Sequence, residues 1–204
     1  MFFRWARKSK IVLVDPTRDE SAIPRRGFIG ETLTIGEQRQ LFRRWTTDPD
    51  VHPHEALVGV LALLHAASNV EVRGLVVNDV DRTRNTLNIG RRPHPVPLDP
   101  VSAAAVQRCL DHRADLATHN PHIIVTTQTR TRSTPASSAY VTHVLDAARV
   151  SPKRLRSTRI VDLVTCLDLK VVSEALGLKA EGLVDYLADH VDSGRLLAEV
   201  QSNL

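Results

Sequence analysis

The sequence predicts an α+β domain that is mostly helical and carries a small antiparallel sheet near its start. Three observations predict it. Apolar residues recur at helical spacing through the second quarter of the chain and again after residue 100. A capping signal stands where the first stripe begins: Thr34, with Glu37 three residues on. Between Asp79 and Leu98 the pattern changes to short runs broken by Gly and Pro.

Taken in order, residues 1–6 read as the end of an aromatic, amphipathic helix, followed by the apolar run 11–14 and Asp15-Pro16. A helix whose apolar side chains have nothing upstream to cover them suggests missing sequence, although Met1 equally suits a true start. Residues 17–30 are rich in Pro, Gly and charge and read as an irregular connector. Residues 1–31 are therefore expected to be a linker and 32–204 the domain.

Leu41, Phe42 and Trp45 follow Thr34 at helical spacing. A second helix over 54–67 places Leu57, Val58, Leu61, Leu64 and His65 on one stripe. Residues 72–77 begin a shorter apolar segment. Strands are expected over 86–89 and 94–98, around a Gly90-Arg-Arg-Pro turn, with prolines 93, 95 and 97 confining the second to an edge. Asp99 or Ser102 starts a helix over 101–114. Residues 123–126 read as a short buried strand and 128–138 as a polar, basic loop. Helices over 140–148, 155–165, 169–176 and 181–190 complete the chain.

Composition narrows the function classes. Of 204 residues, 42% are hydrophobic, as in an ordinary globular protein, and no apolar run approaches a membrane span. The start is too quickly interrupted by charge for a secretory signal. Cys109 and Cys166 make no disulfide framework and are expected in the core; a reducing cytoplasm is the default. The nine histidines have no partners at ligand spacing, so neither metal nor cofactor is expected. Net charge is +4, but basic residues are segregated. Arg82, Arg84, Arg91 and Arg92 share an acid-free stretch, as do Arg149, Lys153, Arg154, Arg156 and Arg159, while the tail after 161 is acidic. Such segregation permits a phosphate-binding face, and equally a solvated surface.

The segment from Ser151 to His190 carries the most information. Arg156 lies in Leu-Arg-Ser-Thr, Leu176-Gly177 follows, and Tyr186 stands 30 residues after Arg156. That order resembles the second half of the active site of tyrosine recombinases, the phage integrase family. The opening aromatic, Trp-Ala, Asp-Pro segment resembles the linker between that family's two domains. The resemblance implies the recombinase catalytic-domain fold, double-stranded DNA as partner, assembly into oligomers on DNA, and a mobile-element origin. It also implies a chemistry: a tyrosine hydroxyl attacks a phosphodiester, leaving a 3′-phosphotyrosine and a free 5′-hydroxyl. Guanidinium groups grip the phosphate and stabilise the transition state.

Carried over residue by residue, Tyr186 is the nucleophile, Arg156 the second arginine, and Lys153 the occupant of the His slot in His-x-x-Arg. Arg91 or Arg92 falls near the catalytic-lysine position. Arg154, Arg159 and Arg73 are further candidate phosphate ligands. The departures are specific. Leu178 replaces a hydrogen-bonding His or Trp, and Tyr186 follows it by eight residues where the family has nine. Aligning Glu71 and Asp79 with the first-arginine motif puts Ser68 where the arginine belongs. Three readings therefore stand: an integrase-type enzyme, a non-catalytic DNA-binding remnant or regulator on the same fold, and a helical interaction protein unrelated to DNA.

Overall fold

Helices form where the chain supplies both a cap and an apolar face. The structure is a computed structural model, and it describes residues 28, 30–179, 182–184 and 186. Helix α1 (Ile35–Thr47) starts at the expected capping box. The Glu37 N–H donates to Thr34 Oγ1 at 3.2 Å, and the Thr34 N–H donates to Glu37 Oε2 at 2.7 Å. Leu41 and Trp45 point inward.

Helix α2 (Pro53–His65) is the centre of the fold. Every residue from 54 to 63 is buried, as befits a helix apolar all round. It packs against α1, α4 (Pro100–Asp115) and α6 (Pro152–Cys166). The Trp45 indole lies flat on Gly59, where an added Cβ would come within 2.4 Å of the ring. Helix α2 ends two residues earlier than the periodicity suggests, because Ala66 turns into the left-handed region at φ 51°.

Helix α3 (Asn69–Gly74) begins three residues before the expected apolar segment 72–77 and ends inside it; its cap is again a capping box, Ser68 with Glu71. The sheet is antiparallel in the order β1-β2-β3: β1 (Val80–Asp81), β2 (Thr86–Leu87) and β3 (Val96–Pro97). Its strands are shorter than expected, since the prolines remove ladder donors on one side.

Three expectations need correction. Residues 123–125 are fully buried but form no strand; only a single bridge, Val76↔His122, links this region to a neighbour. The partner segment winds into a 3-10 turn at Val77–Asp79, which ends the ladder. The helix expected over 140–148 is instead α5 (Ser138–His143) plus a 3-10 turn at Asp146–Ala148. Cys109 is core, and burial pushes its thiol up to about 12, but Cys166 is exposed in the last turn of α6.

Helix α7 (Leu169–Leu176) matches the expected bounds. Gly177 caps it at φ 61°, a conformation that favours glycine. A second apolar cluster gathers Ala66, Ile160, Val164, Val172, Leu176 and Leu183, with Leu178 and Tyr186 packed against it. Most of the expected 1–31 linker and of the 181–190 helix lies outside the described residues. Among the described residues no helix is long and apolar enough to cross a membrane.

Candidate functional site

The last carbonyls of α2 have no partners inside their own helix. Three arginines take them in sequence. Arg159 Nε donates to the Leu64 carbonyl at 3.0 Å, Arg92 Nη1 to His65 at 2.9 Å, and Arg156 Nε to Ala66 at 3.0 Å. Arg156 and Arg159 stand on one face of α6, and Arg92 arrives from the loop after β2. The negative end of the α2 dipole favours this gathering of positive charge.

Arg156 shares a cavity of about 270 Å³ with Lys153, Ser68, Asn69, Thr142 and Ser151. No acidic side chain lines it. Lys153 is exposed at the second position of α6, while Arg156 is half-buried one turn on. The helix N-terminus behind them adds its own partial positive charge. Arg156, Lys153 and the Ser68 slot thus come together around one space. Beside the apolar Val70 and Pro152, it presents hydroxyls, an amide and two cations, polar groups suited to a phosphate oxygen.

The other candidates are placed differently. Arg92 has a side chain only 3% exposed and pairs with Glu71 at 2.9 Å. Burial works to raise the Glu71 carboxyl, but hydrogen bonds from Arg92 and Ser68 prevail and hold it below the usual range. Among the described residues, Arg92 Nη2 has no hydrogen-bond partner. Arg91, next to it, is exposed. Arg154 points away from the cavity: its Nη2 donates to the Thr32 carbonyl at 3.1 Å and lies 3.3 Å from Glu37 Oε1. Arg73 donates from Nε to the Ala136 carbonyl at 2.9 Å. Tyr186 stacks on Phe28, with centroids 4.7 Å apart, and does not line the cavity. Leu178 packs into the second apolar cluster. Gly177 brings α7 against the hairpin loop, since a Cβ there would lie 3.5 Å from Arg92 Cα.

Sequence reasoning missed a second polar group. His52, His54 and His112 stack edge to face with centroids 4.7 to 5.2 Å apart, and the Tyr140 hydroxyl lies 2.7 Å from His54 Nδ1. Desolvation, then repulsion from His52 and His112, pushes His54 down to about 3. His112 sits far away in sequence, so only the packing of α4 on α2 reveals the cluster. Among the described residues no group of three side chains is arranged to hold a metal ion.

Solved structures decide the fold. The XerA recombinase superposes with a TM-score of 0.63 at 17% identity, covering 85% of this chain and 65% of that one. The Tn1549 transposon integrase, in complex with a circular intermediate DNA, gives 0.65 at 14% identity, covering 98% and 75%. The fold is that of a tyrosine-recombinase catalytic domain. A lambda integrase dimer bound to a COC′ core site gives 0.55 at 17% identity, covering 95% of this chain and 57% of that one. The chain therefore spans between about half and three quarters of these recombinases. No protein-family model and no curated protein matches the sequence. Identities this low establish the tyrosine-recombinase fold and leave function to the site.

Proposed function

We propose that the chain is an integrase-type DNA-binding domain whose cavity beside Arg156 holds a backbone phosphate of double-stranded DNA. The observation that carries this reading is the acid-free cavity itself, with Arg156 pinned to the Ala66 carbonyl and Lys153 beside it. Pinning Nε leaves the remaining guanidinium donors for a ligand and removes side-chain freedom in advance, which lowers the cost of binding. Arg91, exposed on the hairpin loop, and Arg159, one turn along α6, extend the basic surface. The DNA-bound state of the Tn1549 and lambda integrases on the same fold supports DNA as the ligand. Such a ligand implies a cytoplasmic location and allows assembly of several copies on one DNA.

In the catalytic form of this reading, the Tyr186 oxygen attacks phosphorus and forms the 3′-phosphotyrosine. The phenol proton passes to solvent, the bond to the 5′ oxygen breaks, and that oxygen takes a proton from solvent and leaves as a hydroxyl. Arg156 and Lys153 neutralise charge on the non-bridging oxygens. Two observations favour the non-catalytic form: Ser68 offers a hydroxyl where the recombinase pattern has a guanidinium, and Leu178 lies in an apolar cluster.

Covalent trapping on nicked suicide substrates, with Tyr186→Phe alongside, separates the two. An adduct lost in the variant establishes the enzyme. Salt-sensitive binding without an adduct establishes the binding domain, and absence of salt-sensitive duplex binding overturns both.

A further inference from the structure

Among the described residues, a further cationic recess lies outside the cavity, and none of the roles above uses it. Residues 116–145 contain no Asp or Glu, a third acid-free stretch of the chain. The structure folds its middle into a tight loop around a recess of about 420 Å³, lined by His119, Asn120, Arg130, Arg132 and Ser133. Both arginines are exposed, and neither is in an ion pair among the described residues.

The loop is held in place from beneath. Asn120, 1% exposed, donates through Nδ2 to the carbonyls of Thr129 at 2.9 Å and Thr134 at 3.0 Å. Its Oδ1 accepts from the His122 N–H at 2.9 Å. Thr118 Oγ1 donates to the Arg130 carbonyl at 2.5 Å. The Arg130 N–H reaches the Thr126 carbonyl at 2.9 Å and the Arg132 N–H the Thr129 carbonyl at 3.0 Å. A buried amide thus fixes the backbone that carries two exposed arginines on one recess, with no acid among its described lining residues. Two exposed guanidinium groups with no acidic partner among the described residues favour an anion at this surface.

The recess is also tied to the cavity. From Thr134 the chain runs to Ala136, whose carbonyl holds Arg73, and to Ser138 and Thr142, which accept from Asn69 Nδ2 at 3.2 and 2.8 Å. Asn69 and Thr142 line the cavity beside Arg156. Five residues lie between Arg132 and Ser138, so their Cα atoms are at most roughly 20 Å apart, a span that one turn of duplex covers, and Ser138 meets the cavity through Asn69.

We propose that Arg130 and Arg132 form a second contact for backbone phosphates of the same DNA duplex, outside the cavity. This rests on the DNA reading above. Its role is to hold the flanking duplex, adding affinity without base specificity.

The test is a salt titration of duplex DNA binding by fluorescence anisotropy, using the whole chain, the Arg130→Ala/Arg132→Ala pair and the Arg130→Lys/Arg132→Lys pair. The alanine pair is expected to weaken binding roughly tenfold at low salt and to reduce the slope of log K against log salt by about 2, one per lost phosphate contact. The lysine pair is expected to keep the slope. Wild-type binding with an unchanged slope in the alanine pair overturns the recess contact while leaving the DNA reading in place. Loss of slope in both pairs assigns the arginines to loop geometry and likewise overturns it. A wild-type chain that does not bind duplex overturns this proposal and the DNA reading together.

Discussion

Ser68 and Glu71 cap each other. The Ser68 N–H donates to Glu71 Oε2 at 2.7 Å, and the Glu71 N–H donates to Ser68 Oγ at 3.2 Å. The residue in the slot of the recombinase's first arginine thus satisfies backbone donors of α3 and leaves a hydroxyl at the cavity. Ser68→Arg should remove the cap at a cost of about 1 kcal/mol while adding a guanidinium to the cavity. Chemical denaturation should show the loss of stability. Duplex titration should show tighter binding with a salt slope steeper by about 1; an unchanged slope would show that position 68 does not face the phosphate.

The Arg92–Glu71 pair joins the hairpin loop to α3 almost out of solvent, at 3% and 17% side-chain exposure. Removing one partner of such a pair strands the other charge. Arg92→Ala is expected to destabilise the fold by about 3 kcal/mol and to raise the Glu71 carboxyl towards its ordinary value. Urea unfolding checks the first and carboxyl titration by NMR the second. A loss under about 0.5 kcal/mol would mean that Glu71 finds water when Arg92 goes.

Arg154 and Arg156 are two residues apart on α6 and face different ways. Arg154 reaches Thr32 and Glu37, whereas Arg156 reaches Ala66 and the cavity. Arg156→Ala should cost duplex affinity by about 1.5–3 kcal/mol, the range for a hydrogen bond to a charged group. Arg154→Ala should leave duplex affinity within about twofold and act on the α1–α6 joint instead. Equal losses for the two would place the phosphate elsewhere.

The histidine cluster makes stability depend on pH. His54 is held neutral in the fold, down to about 3, while in the unfolded chain it titrates near 6.5. The unfolded state therefore binds the extra proton first as pH falls. The contribution is fully present above about 6.5 and is lost between about 6.5 and 3, at about 1.4 kcal/mol per pH unit. Unfolding free energies should hold level above about pH 6.5 and fall below it, with His52, His65 and His122, also held below the usual range by burial, adding to the fall. His54→Gln should remove about 1.4 kcal/mol per pH unit of that slope. Parallel curves for the two proteins would assign the slope to other groups.

Much of this was legible in one dimension. Thr34 with Glu37, Asp99 before Pro100, and Leu176-Gly177 each specify a helix end through contacts within a few residues. Arg156 and Lys153 share the cavity because residues three positions apart on a helix lie on one face. The buried run 123–125 misled because a strand needs a partner, and its neighbour turns away after one bridge. Cys166 misled because apolar spacing cannot tell the last, solvent-facing turn of a helix from the turns beneath it.

By itself, the sequence determined the α+β class, the helix cap at Thr34 and the Arg156–Tyr186 order that points to the tyrosine-recombinase fold, because each depends on local periodicity or fixed spacing. Only the tertiary structure decided that Arg159, Arg92 and Arg156 converge on the successive carbonyls of Leu64, His65 and Ala66. It also decided that Ser68 opens onto the cavity and that His112 completes a cluster with His52 and His54. These are meetings between helices, hairpin and loop, set by how the apolar faces of α4 and α6 close over α2 and by no spacing along the chain.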